Sequence, residues 1–517
     1  MMIRTTSIET LSELFIRSAQ WRGRDELFVD DADRIGGTDA LDQACALAQA
    51  FAELGAQPGD VVAYLCRSSA RHAVAWFAAP LGGRIAANLH VREPAPRLGE
   101  MLAWLGAKVL VYDGDLAPLA RDAIAAAGIR IARISLGSED EDADDDYHSI
   151  VARGARYDLL AAPPQPSDIA AIVLSSGTTG KPKGIMHSQR TLLEAAKGGQ
   201  VVMGPIPRDG ATLLYMQPSF AAWAIIVLPF VGAKAKVCFG QVFTPQAFLE
   251  TVQRERISMA PLVPTMWRMV FDAQPEKYDL SSLTLVTISG EPPAPSDVAQ
   301  LHGKFCKNIS CIYLSGEAFT ASAVMATTRD IMARGKIGTS GRPVLGCDVK
   351  ILSAGGSFDD EMPNGEEGEI AVSGPSLAVG YWKDEALTRE KFRDRWWRSG
   401  DLGRLDADLD LWVTGRIDNV INTGGIKVSG EEIEHALLAH PAIAQCAVVG
   451  QPDAAMGQRI EAFIVARSKL PATEELGAWL RREHHFAGYK VPKRFHTVEA
   501  LPTGPTGKLY RRALRAE

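Results

Sequence analysis

Apolar residues in the first 160 positions alternate between the spacing of helices and that of short buried strands. Leu41–Leu54 repeats apolar residues at helical spacing, and a turn at Gly55–Asp60 separates it from a short apolar run at Val61–Cys66. Val109–Tyr112 is a second such run, and it precedes a helical stretch that ends near Gly128. Short buried strands that alternate with helices predict a mostly parallel sheet covered by helices.

The alternation of apolar runs and helical stretches continues through the middle of the chain. In the last third the apolar runs become shorter and are separated by glycine-rich turns. Apolar runs in the middle lie at Ile169–Leu174, Leu213–Gln217, Ala224–Val231, Ile257–Val263 and Leu283–Ile288. From about Val344, short runs between glycine-rich turns predict strands of a small β barrel or sheet at Val349–Leu352, Glu369–Ser373 and Leu411–Thr414. Past Gly415 we expect helices at Gly430–Leu438 and Glu474–Glu483, and strands at Cys446–Gly450 and Ile460–Val465.

These patterns predict an α/β protein with two domains. We expect a large N-terminal domain of layered α/β subdomains plus a small β barrel over residues 1–414, and a small α+β domain over residues 419–517. A chain of 517 residues is too long for a single compact core, which agrees with this division.

A polar, glycine-rich stretch follows the run Ile169–Leu174 and reads SSGTTGKPKG. Glycines let backbone N–H groups approach an anion closely, and hydroxyl and ammonium groups supply further donors. A strand, a glycine-rich loop and then a helix, here from about Thr191, is the order of a phosphate-binding loop, although a surface turn that binds nothing is the alternative. It differs from the common P-loop, because Gly177 and Gly180 are too close together and Pro182 follows Lys181. The candidate phosphate-binding residues are Ser175, Ser176, Gly177, Thr178, Thr179, Gly180 and Lys183.

Composition excludes several classes of protein. The net charge of −7 gives no overall attraction for nucleic acid or an anionic membrane. We expect no signal peptide, because the first residues lack a continuous apolar core, and no membrane insertion, because no apolar run is long enough. The seven cysteines are dispersed and form no CxxC pair, which is typical of a reducing compartment, so we expect a cytoplasmic protein. The absence of a GxSxG motif disfavours a serine hydrolase.

The glycine-rich loop and five further segments resemble the adenylate-forming superfamily, which includes acyl-CoA synthetases, the adenylation domains of peptide synthetases and luciferases. The five segments are TISGEPP at Thr287–Pro293, YLSGE at Tyr313–Glu317, WRSGDLG at Trp397–Gly403, GRIDNVINTGGIKVSGEEIE at Gly415–Glu434 and PTGPTGKLYRRAL at Pro502–Leu514. The resemblance implies that the C-terminal domain is mobile and swings about a hinge at residues 415–418, with Asp418 at the hinge position.

The resemblance also implies a nucleotide site assembled from these segments. The turn with Gly290, Glu291 and Pro292 would line the adenine, Tyr313 would stack on it, and Glu317 would bind Mg²⁺ as a catalytic residue together with Thr178. Asp401 would accept the ribose hydroxyls, Arg416 would bond ribose or phosphate, and Lys427 would lie near phosphate. Lys508 would be the catalytic lysine that bridges the carboxylate and the α-phosphate. Two positions depart from the family pattern: Leu314 replaces a glycine, and Gly316 replaces a threonine whose hydroxyl holds phosphate.

For the acceptor and the acid, the resemblance favours a CoA ligase. Gly424 and Gly425 would line the thiol tunnel, and Lys490 in GYKVP would pair with CoA phosphates, although a solvated basic face is equally simple. Ala221 stands where amino-acid-activating relatives carry an aspartate, which disfavours an amino acid substrate. The candidate walls of an apolar acyl or aryl pocket are Phe220, Trp223, Val263 and Trp267, which are equally plausible as core residues.

The expected function is therefore an ATP-dependent acyl-CoA ligase that uses ATP, Mg²⁺ and coenzyme A. The alternatives are an acyl-AMP ligase that loads a carrier-protein thiol and, because of Leu314 and Gly316, a nucleotide-binding pseudoenzyme. The sequence names neither the acid nor the oligomeric state, and a homodimer is compatible with it.

Overall fold

A computed structural model describes residues 8–137, 140–154, 162–176, 182–289, 295–503 and 509–515 of the chain. The chain divides into two compact units, the first formed by Met1–Val349 with Val372–Trp397 and the second by Lys350–Ala371 with Arg398–Glu517. The predicted hinge at residues 415–418 lies inside the second unit, and its role as a hinge stays a prediction.

The first unit contains two large sheets that are parallel in their centres. The nine-stranded sheet has the strand order Arg342–Pro343, Val324–Thr327, Ile309–Tyr313, Leu285–Ser289, Met259–Pro261, Ala211–Leu214, Lys236–Phe239, Glu26–Val29 and Arg34–Gly36. The eight-stranded sheet has the order Gly380–Tyr381, Pro182–Ser188, Ile169–Ser176, Ile85–Asn88, Val61–Leu65, Ala107–Tyr112, Ala132–Ser135 and Asp145–Asp146. Antiparallel pairs occur towards the edges, as between Ile169–Ser176 and Pro182–Ser188.

Helices cover both faces of both sheets. The middle layer, shared by the two sheets, contains Leu11–Arg22, Gly37–Glu53, Ala70–Leu81, Gln189–Val202 and Ala221–Gly232. The outer face of the eight-stranded sheet carries Ala95–Leu105 and Ala117–Ala127. The outer face of the nine-stranded sheet carries Pro245–Glu255, Pro264–Phe271 and Pro295–Gln300. Two further α-helices of this unit are Tyr147–Arg153 and Glu385–Lys391. The result is a five-layer αβαβα arrangement.

The strand Val61–Leu65 shows why these segments form double-faced sheets. All five of its residues are buried, and side chains alternate between the faces of a strand. Val62 and Tyr64 pack into the middle helical layer, whereas Ala63 and Leu65 pack under the outer helices. Burial on both faces therefore produces the continuous apolar run seen in the sequence.

The last third of the chain adds two smaller sheets. One has five strands, at Asp348–Leu352, Gly368–Ser373, Phe392–Arg393, Trp396–Leu405 and Leu411–Arg416. The other also has five, at Val420–Thr423, Ile426–Ser429, Ile443–Asp453, Gly457–Ala466 and Arg494–Thr497, and its core includes residues of the helices Gly430–Leu438 and Thr473–Glu483. The predicted fold class, a large α/β domain followed by a small α+β domain, is confirmed. Among the described residues, no helix combines the length and the apolar character needed to cross a bilayer.

Candidate functional site

The glycine-rich stretch connects two antiparallel strands. Ile169–Ser176 pairs with Pro182–Ser188, and Ser175 lies opposite Lys183. The helix begins only at Gln189, after Ser188 caps it, so the predicted order of strand, loop and helix was wrong: a second strand intervenes. The apolar residues of this strand alternate between the faces of the sheet, because the buried Ile185 and the half-buried Met186 pack in different apolar clusters. Gly177, Thr178, Thr179 and Gly180 lie outside the described residues, as does the side chain of Ser176, so their predicted roles stay predictions.

Lys183, Tyr381 and Glu317 form a polar cluster beside this hairpin. The Lys183 ammonium lies 5.9 Å from the centroid of the Tyr381 ring, and the Tyr381 hydroxyl lies 2.9 Å from Oε1 of Glu317. The indole Nε1 of Trp397 lies 3.2 Å from the same hydroxyl oxygen. Burial, followed by the neighbouring Glu317 carboxylate, raises the pKa of Tyr381 well above its ordinary value, so the phenol keeps its proton. Tyr381 was not among the residues predicted from the sequence, where its signal was an aromatic pair after a glycine in GYW.

The charged side chains of this cluster are of the types that bind a magnesium–nucleotide complex. Mg²⁺ prefers oxygen ligands and in nucleotide sites is bound through one or two carboxylates plus the phosphates. Glu317 supplies such a carboxylate, and Lys183 supplies a cation on the adjoining hairpin. The cluster therefore has both an oxygen ligand and a counter-charge for phosphate.

Leu314 and Gly316, the two positions that depart from the family pattern, both lie next to apolar side chains. Leu314 follows the strand that ends at Tyr313, and it packs against the apolar middle layer. A Cβ atom on Gly316 would lie 2.8 Å from Cδ1 of Ile185 and 3.7 Å from Cβ of Ala221. A side chain at position 316 therefore requires Ile185 to move. Gly290, Glu291 and Pro292, expected to line the adenine, lie outside the described residues.

His187 holds the backbone beside Glu317 and was missed by the sequence analysis. Its Nε2 lies 2.8 Å from the carbonyl oxygen of Gly316, and its Nδ1 lies 3.2 Å from Oγ1 of Thr191. Because a carbonyl only accepts hydrogen bonds, Nε2 carries the proton. Burial lowers the pKa of His187 to about 4, so the ring is neutral at physiological pH. A histidine directly after the apolar pair Ile185 and Met186 was the available signal.

In the second unit, Asp401, Arg416 and Asp418 lie together on one hairpin. Asp401 and Arg416 face each other across the antiparallel strands Trp396–Leu405 and Leu411–Arg416. The guanidinium Nη1 lies 3.0 Å from Oδ1 of Asp401, and Nη2 lies 3.9 Å from Oδ2 of Asp418. Side chains able to accept from ribose hydroxyls and to bind phosphate are therefore neighbours.

The glycine pair of this unit forms a tight turn. Gly424 and Gly425 join the strands Val420–Thr423 and Ile426–Ser429 with φ values of 60° and 79°. Two successive positive φ values are the geometry of a type I′ hairpin turn, which favours glycine at both positions. The predicted role in a thiol tunnel stays a prediction. Lys427 lies in the returning strand, and its side chain is outside what the structure describes.

Lys490, expected to bind CoA, is engaged by a carboxylate. Its ammonium lies 2.7 Å and 2.9 Å from the two oxygens of Glu432. A CoA phosphate would therefore compete with Glu432 for this ammonium.

The segment that follows Lys508 is anchored to the body of the second unit. Thr503 and Leu509 form an antiparallel bridge, and the Tyr510 amide donates to the carbonyl of Pro502 over 2.8 Å. The guanidinium of Arg511 binds the buried carboxylate of Glu434 through Nε at 3.2 Å and Nη2 at 2.7 Å. Lys508 itself lies outside the described residues, and its catalytic role stays a prediction.

The four predicted pocket residues occupy different environments. Phe220 lines a small cavity of about 20 Å³ together with Trp76, Ala221 and Phe319. Trp223 is fully buried in the middle layer, where its Nε1 donates to Oγ of Ser68 over 2.9 Å. Trp267 is fully buried on the outer side of the nine-stranded sheet, and Val263 is 40% exposed. Phe220 therefore borders a cavity, whereas both tryptophans pack in cores.

Comparisons with known proteins agree with the fold and the motifs. The family model described as AMP-binding enzyme matches residues 15–382, and the model described as AMP-binding enzyme C-terminal domain matches residues 432–508. A feruloyl-CoA synthase from Amycolatopsis sp is 32% identical over 94% of this chain and 95% of its own length. A sulfoacetate–CoA ligase from Cupriavidus necator is 30% identical over 97% of both chains.

Solved structures share the fold along almost the whole chain. The o-succinylbenzoate coenzyme A synthetase of Bacillus subtilis, solved with ATP and a magnesium ion, superposes with a TM-score of 0.84 at 22% identity, and the match covers 97% of this chain and 98% of that one. The AMP-binding enzyme model alone spans well over half of the chain, and the relatives extend the match across both units. The chain belongs to the AMP-binding enzyme family of the adenylate-forming superfamily.

Proposed function

We propose that this protein is an AMP-forming acyl-CoA ligase. In the first step a carboxylate oxygen attacks the α-phosphorus of ATP, the bond from that phosphorus to the bridging oxygen breaks, and pyrophosphate leaves. In the second step the sulfur of CoA attacks the acyl carbon, the thiol proton is released, and AMP leaves. The acid needs this activation because an oxide ion is a very poor leaving group, whereas AMP is a good leaving group.

The observation that carries the proposal is the polar cluster beside the glycine-rich hairpin. The hairpin brings Lys183 to one side of Tyr381, and the Tyr381 hydroxyl holds Glu317 on the other. Phosphoryl transfer depends mainly on positioning and on neutralising spread negative charge. A cation and a metal-binding carboxylate next to a glycine-rich loop are suited to that task.

Residues of the first unit would handle the phosphates. Lys183 and the hydroxyls of the loop, including that of Thr178, would hold the departing pyrophosphate by charge and hydrogen bonds. Glu317 would hold Mg²⁺, which neutralises charge on the phosphate oxygens when bound. His187 keeps the Gly316 carbonyl in place, which fixes the backbone from which Glu317 extends.

Residues of the second unit would handle the ribose and the reacting groups. Asp401 would accept hydrogen bonds from the ribose hydroxyls, and Arg416, which it already binds, would contact ribose or phosphate. Lys508 would bind the attacking carboxylate and the α-phosphate together. The turn at Gly424–Gly425 would admit the pantetheine arm in the thioester step, after a swing about the hinge near Asp418.

For the substrate, we propose an organic acid with an apolar acyl or aryl tail and no ammonium group next to the carboxylate. Ala221 and Phe220 border the small cavity, and among the described residues that line it there is no carboxylate to pair with a buried ammonium. The feruloyl-CoA synthase relative, named for an aromatic acid, supports an aryl tail.

The test is incubation with ATP, Mg²⁺ and a panel of carboxylic acids, with and without CoA, followed by mass spectrometry. We expect acyl-CoA and AMP from at least one apolar acid. Acyl-AMP that accumulates and reacts only with a carrier-protein thiol would indicate the carrier-loading alternative. No AMP from any acid would refute adenylation and favour a pseudoenzyme.

Lys508→Ala separates the two steps. We expect this variant to lose formation of acyl-AMP and to keep thioester formation from supplied acyl-AMP. Equal loss of both steps would contradict the role assigned to Lys508.

A cytoplasmic location is part of the proposal. It is supported by the seven cysteines, which are all unpaired in the structure. Size-exclusion chromatography with light scattering decides between a monomer and a homodimer.

A further inference from the structure

We propose that Tyr381 is a positioning residue that holds the Glu317 carboxylate in the orientation needed by the metal–nucleotide complex. The inference rests on the proposed function, in which Glu317 is the magnesium ligand. Tyr381 does not touch substrate in this scheme, because it acts through the carboxylate to which it is hydrogen-bonded.

The direction of the hydrogen bonds follows from the chemistry of the three groups. An indole Nε1 only donates, and an ionised carboxylate only accepts. The Tyr381 oxygen, 3.2 Å from Nε1 of Trp397, therefore accepts from the indole, and its own proton points to Oε1 of Glu317, 2.9 Å away. The two hydrogen bonds therefore point in the same direction, from Trp397 to Tyr381 and from Tyr381 to Glu317, and each hydrogen bond polarises the next.

The surroundings of Tyr381 keep its ring in one place. Its backbone pairs with Ile185 in the strand next to the glycine-rich loop, and its amide donates to Oγ1 of Thr388 over 2.9 Å. The side chain is buried, and the ring lies 5.5 Å from that of Phe392 between centroids. Because the Tyr381 hydroxyl is already held in place, forming its hydrogen bond to Glu317 costs little side-chain entropy on the tyrosine side.

Lys183 connects the same ring to the phosphate site. Its ammonium lies 5.9 Å from the ring centroid, within the range of a cation–π contact. One aromatic side chain therefore contacts both the cation and the carboxylate that would face the phosphates. Removing only the hydroxyl leaves the ring and the contact with Lys183 in place, so the two roles are separable.

The experiment measures Mn²⁺ binding to the full chain in the presence of a non-hydrolysable ATP analogue, by electron paramagnetic resonance of free Mn²⁺. Hydrogen-bond partners of metal-ligating carboxylates are typically worth about 10–100-fold in metal affinity. We expect Tyr381→Phe to weaken Mn²⁺ binding by about tenfold or more. The matched control is Tyr147→Phe, since Tyr147 is also buried and donates to Oε1 of Gln43 over 2.6 Å, and we expect it to leave Mn²⁺ binding unchanged.

A double-mutant cycle separates positioning from general stability. In a Glu317→Gln background, Tyr381→Phe should cause no further loss of Mn²⁺ affinity, because the group that it positions is already altered. Trp397→Phe removes the donor to the Tyr381 hydroxyl and keeps the hydroxyl itself, so it should weaken Mn²⁺ binding relative to the unaltered protein. If Tyr381→Phe folds poorly, this variant is the test, and unchanged Mn²⁺ binding would then overturn the inference.

The outcomes distinguish this inference from the proposed function. If the unaltered protein binds no Mn²⁺ with the ATP analogue, the proposed function fails. If it does bind and Tyr381→Phe binds equally well, only the role of Tyr381 is overturned. Equal losses from Tyr381→Phe with and without Glu317→Gln would also overturn it.

Discussion

Replacing Arg511 by methionine tests whether the anchored C-terminal segment is needed for adenylation. Arg511 makes two hydrogen bonds to Glu434, at 3.2 Å and 2.7 Å, and Glu434 also accepts from the Val448 amide over 2.7 Å. Glu434 is almost fully buried, at 7% exposure. Removing one partner of a buried ion pair typically costs about 3–5 kcal/mol, because the other charge is left without compensation. We therefore expect Arg511→Met to release the segment that begins at Leu509 and to slow adenylation strongly.

The pH dependence of this defect has a predictable sign. Burial raises the pKa of Glu434 to about 7, and without the guanidinium that opposes this effect the pKa rises further. When folding raises the pKa of a carboxyl, the folded protein is most stable at low pH, where that carboxyl is neutral. The free energy of unfolding then falls as the pH rises through the folded-state pKa. The defect of Arg511→Met should therefore be small near pH 6 and large near pH 8.

Hydrogen–deuterium exchange of peptides that cover residues 502–515, measured beside the adenylation rate, is the assay. Glu434→Gln combined with Arg511→Met removes both charges and should recover part of the protection. Arg512→Met, at an exposed neighbouring position, is the matched control and should behave like the unaltered protein. If Arg511→Met loses protection at pH 8 but keeps its full adenylation rate, the reasoning that links this anchor to catalysis is refuted.

Gly316, two buried histidines and Asp401 each give a further test. Gly316→Thr should lower the free energy of unfolding by about 1–3 kcal/mol through overpacking. Ile185→Val deletes the Cδ1 atom that a Cβ there would meet at 2.8 Å, so calorimetry should show partial relief in the double variant, and strict additivity would contradict the packing account. Burial lowers the pKa of both His72 and His187 to about 4, so the unfolded chain binds more protons below pH ~6.5. Each histidine should then remove about 1.4 kcal/mol of stability per pH unit between ~6.5 and ~4, and equal urea midpoints at pH 7.5 and 5.5 would contradict this. Asp401→Asn should raise the KM for ATP by about tenfold and that for 2′-deoxy-ATP by less, because the lost acceptor serves ribose hydroxyls, and equal effects on both nucleotides would refute that role.

Local patterns in the sequence predicted several elements correctly but missed others, such as the strand Pro182–Ser188. Gly430–Leu438 is a helix with the predicted bounds, and Val61–Leu65 is a strand that ends one residue before the predicted end. The Gly–Gly turn at 424–425 follows directly from its turn chemistry. Such features depend on neighbours within a few residues, which a single sequence contains.

Contacts between distant segments were not predictable in the same way. Tyr381 meets Glu317 across 64 positions, and Arg511 meets Glu434 across 77. These pairs depend on sheet order and register, which no local pattern specifies. The same limit applies to Trp223 and Trp267, because a large apolar residue has the same sequence signal in a core as in a pocket.

The most direct test of the central claim, attack of a carboxylate on the α-phosphate of ATP, is the fate of the carboxylate oxygen. An acid that the enzyme accepts is labelled with ¹⁸O in both carboxylate oxygens and converted with ATP, Mg²⁺ and CoA, and the products are weighed by mass spectrometry. Attack by the carboxylate on the α-phosphorus predicts one ¹⁸O atom in each AMP and none in pyrophosphate. Unlabelled AMP, or ¹⁸O in inorganic phosphate with ADP as the nucleotide product, would contradict it.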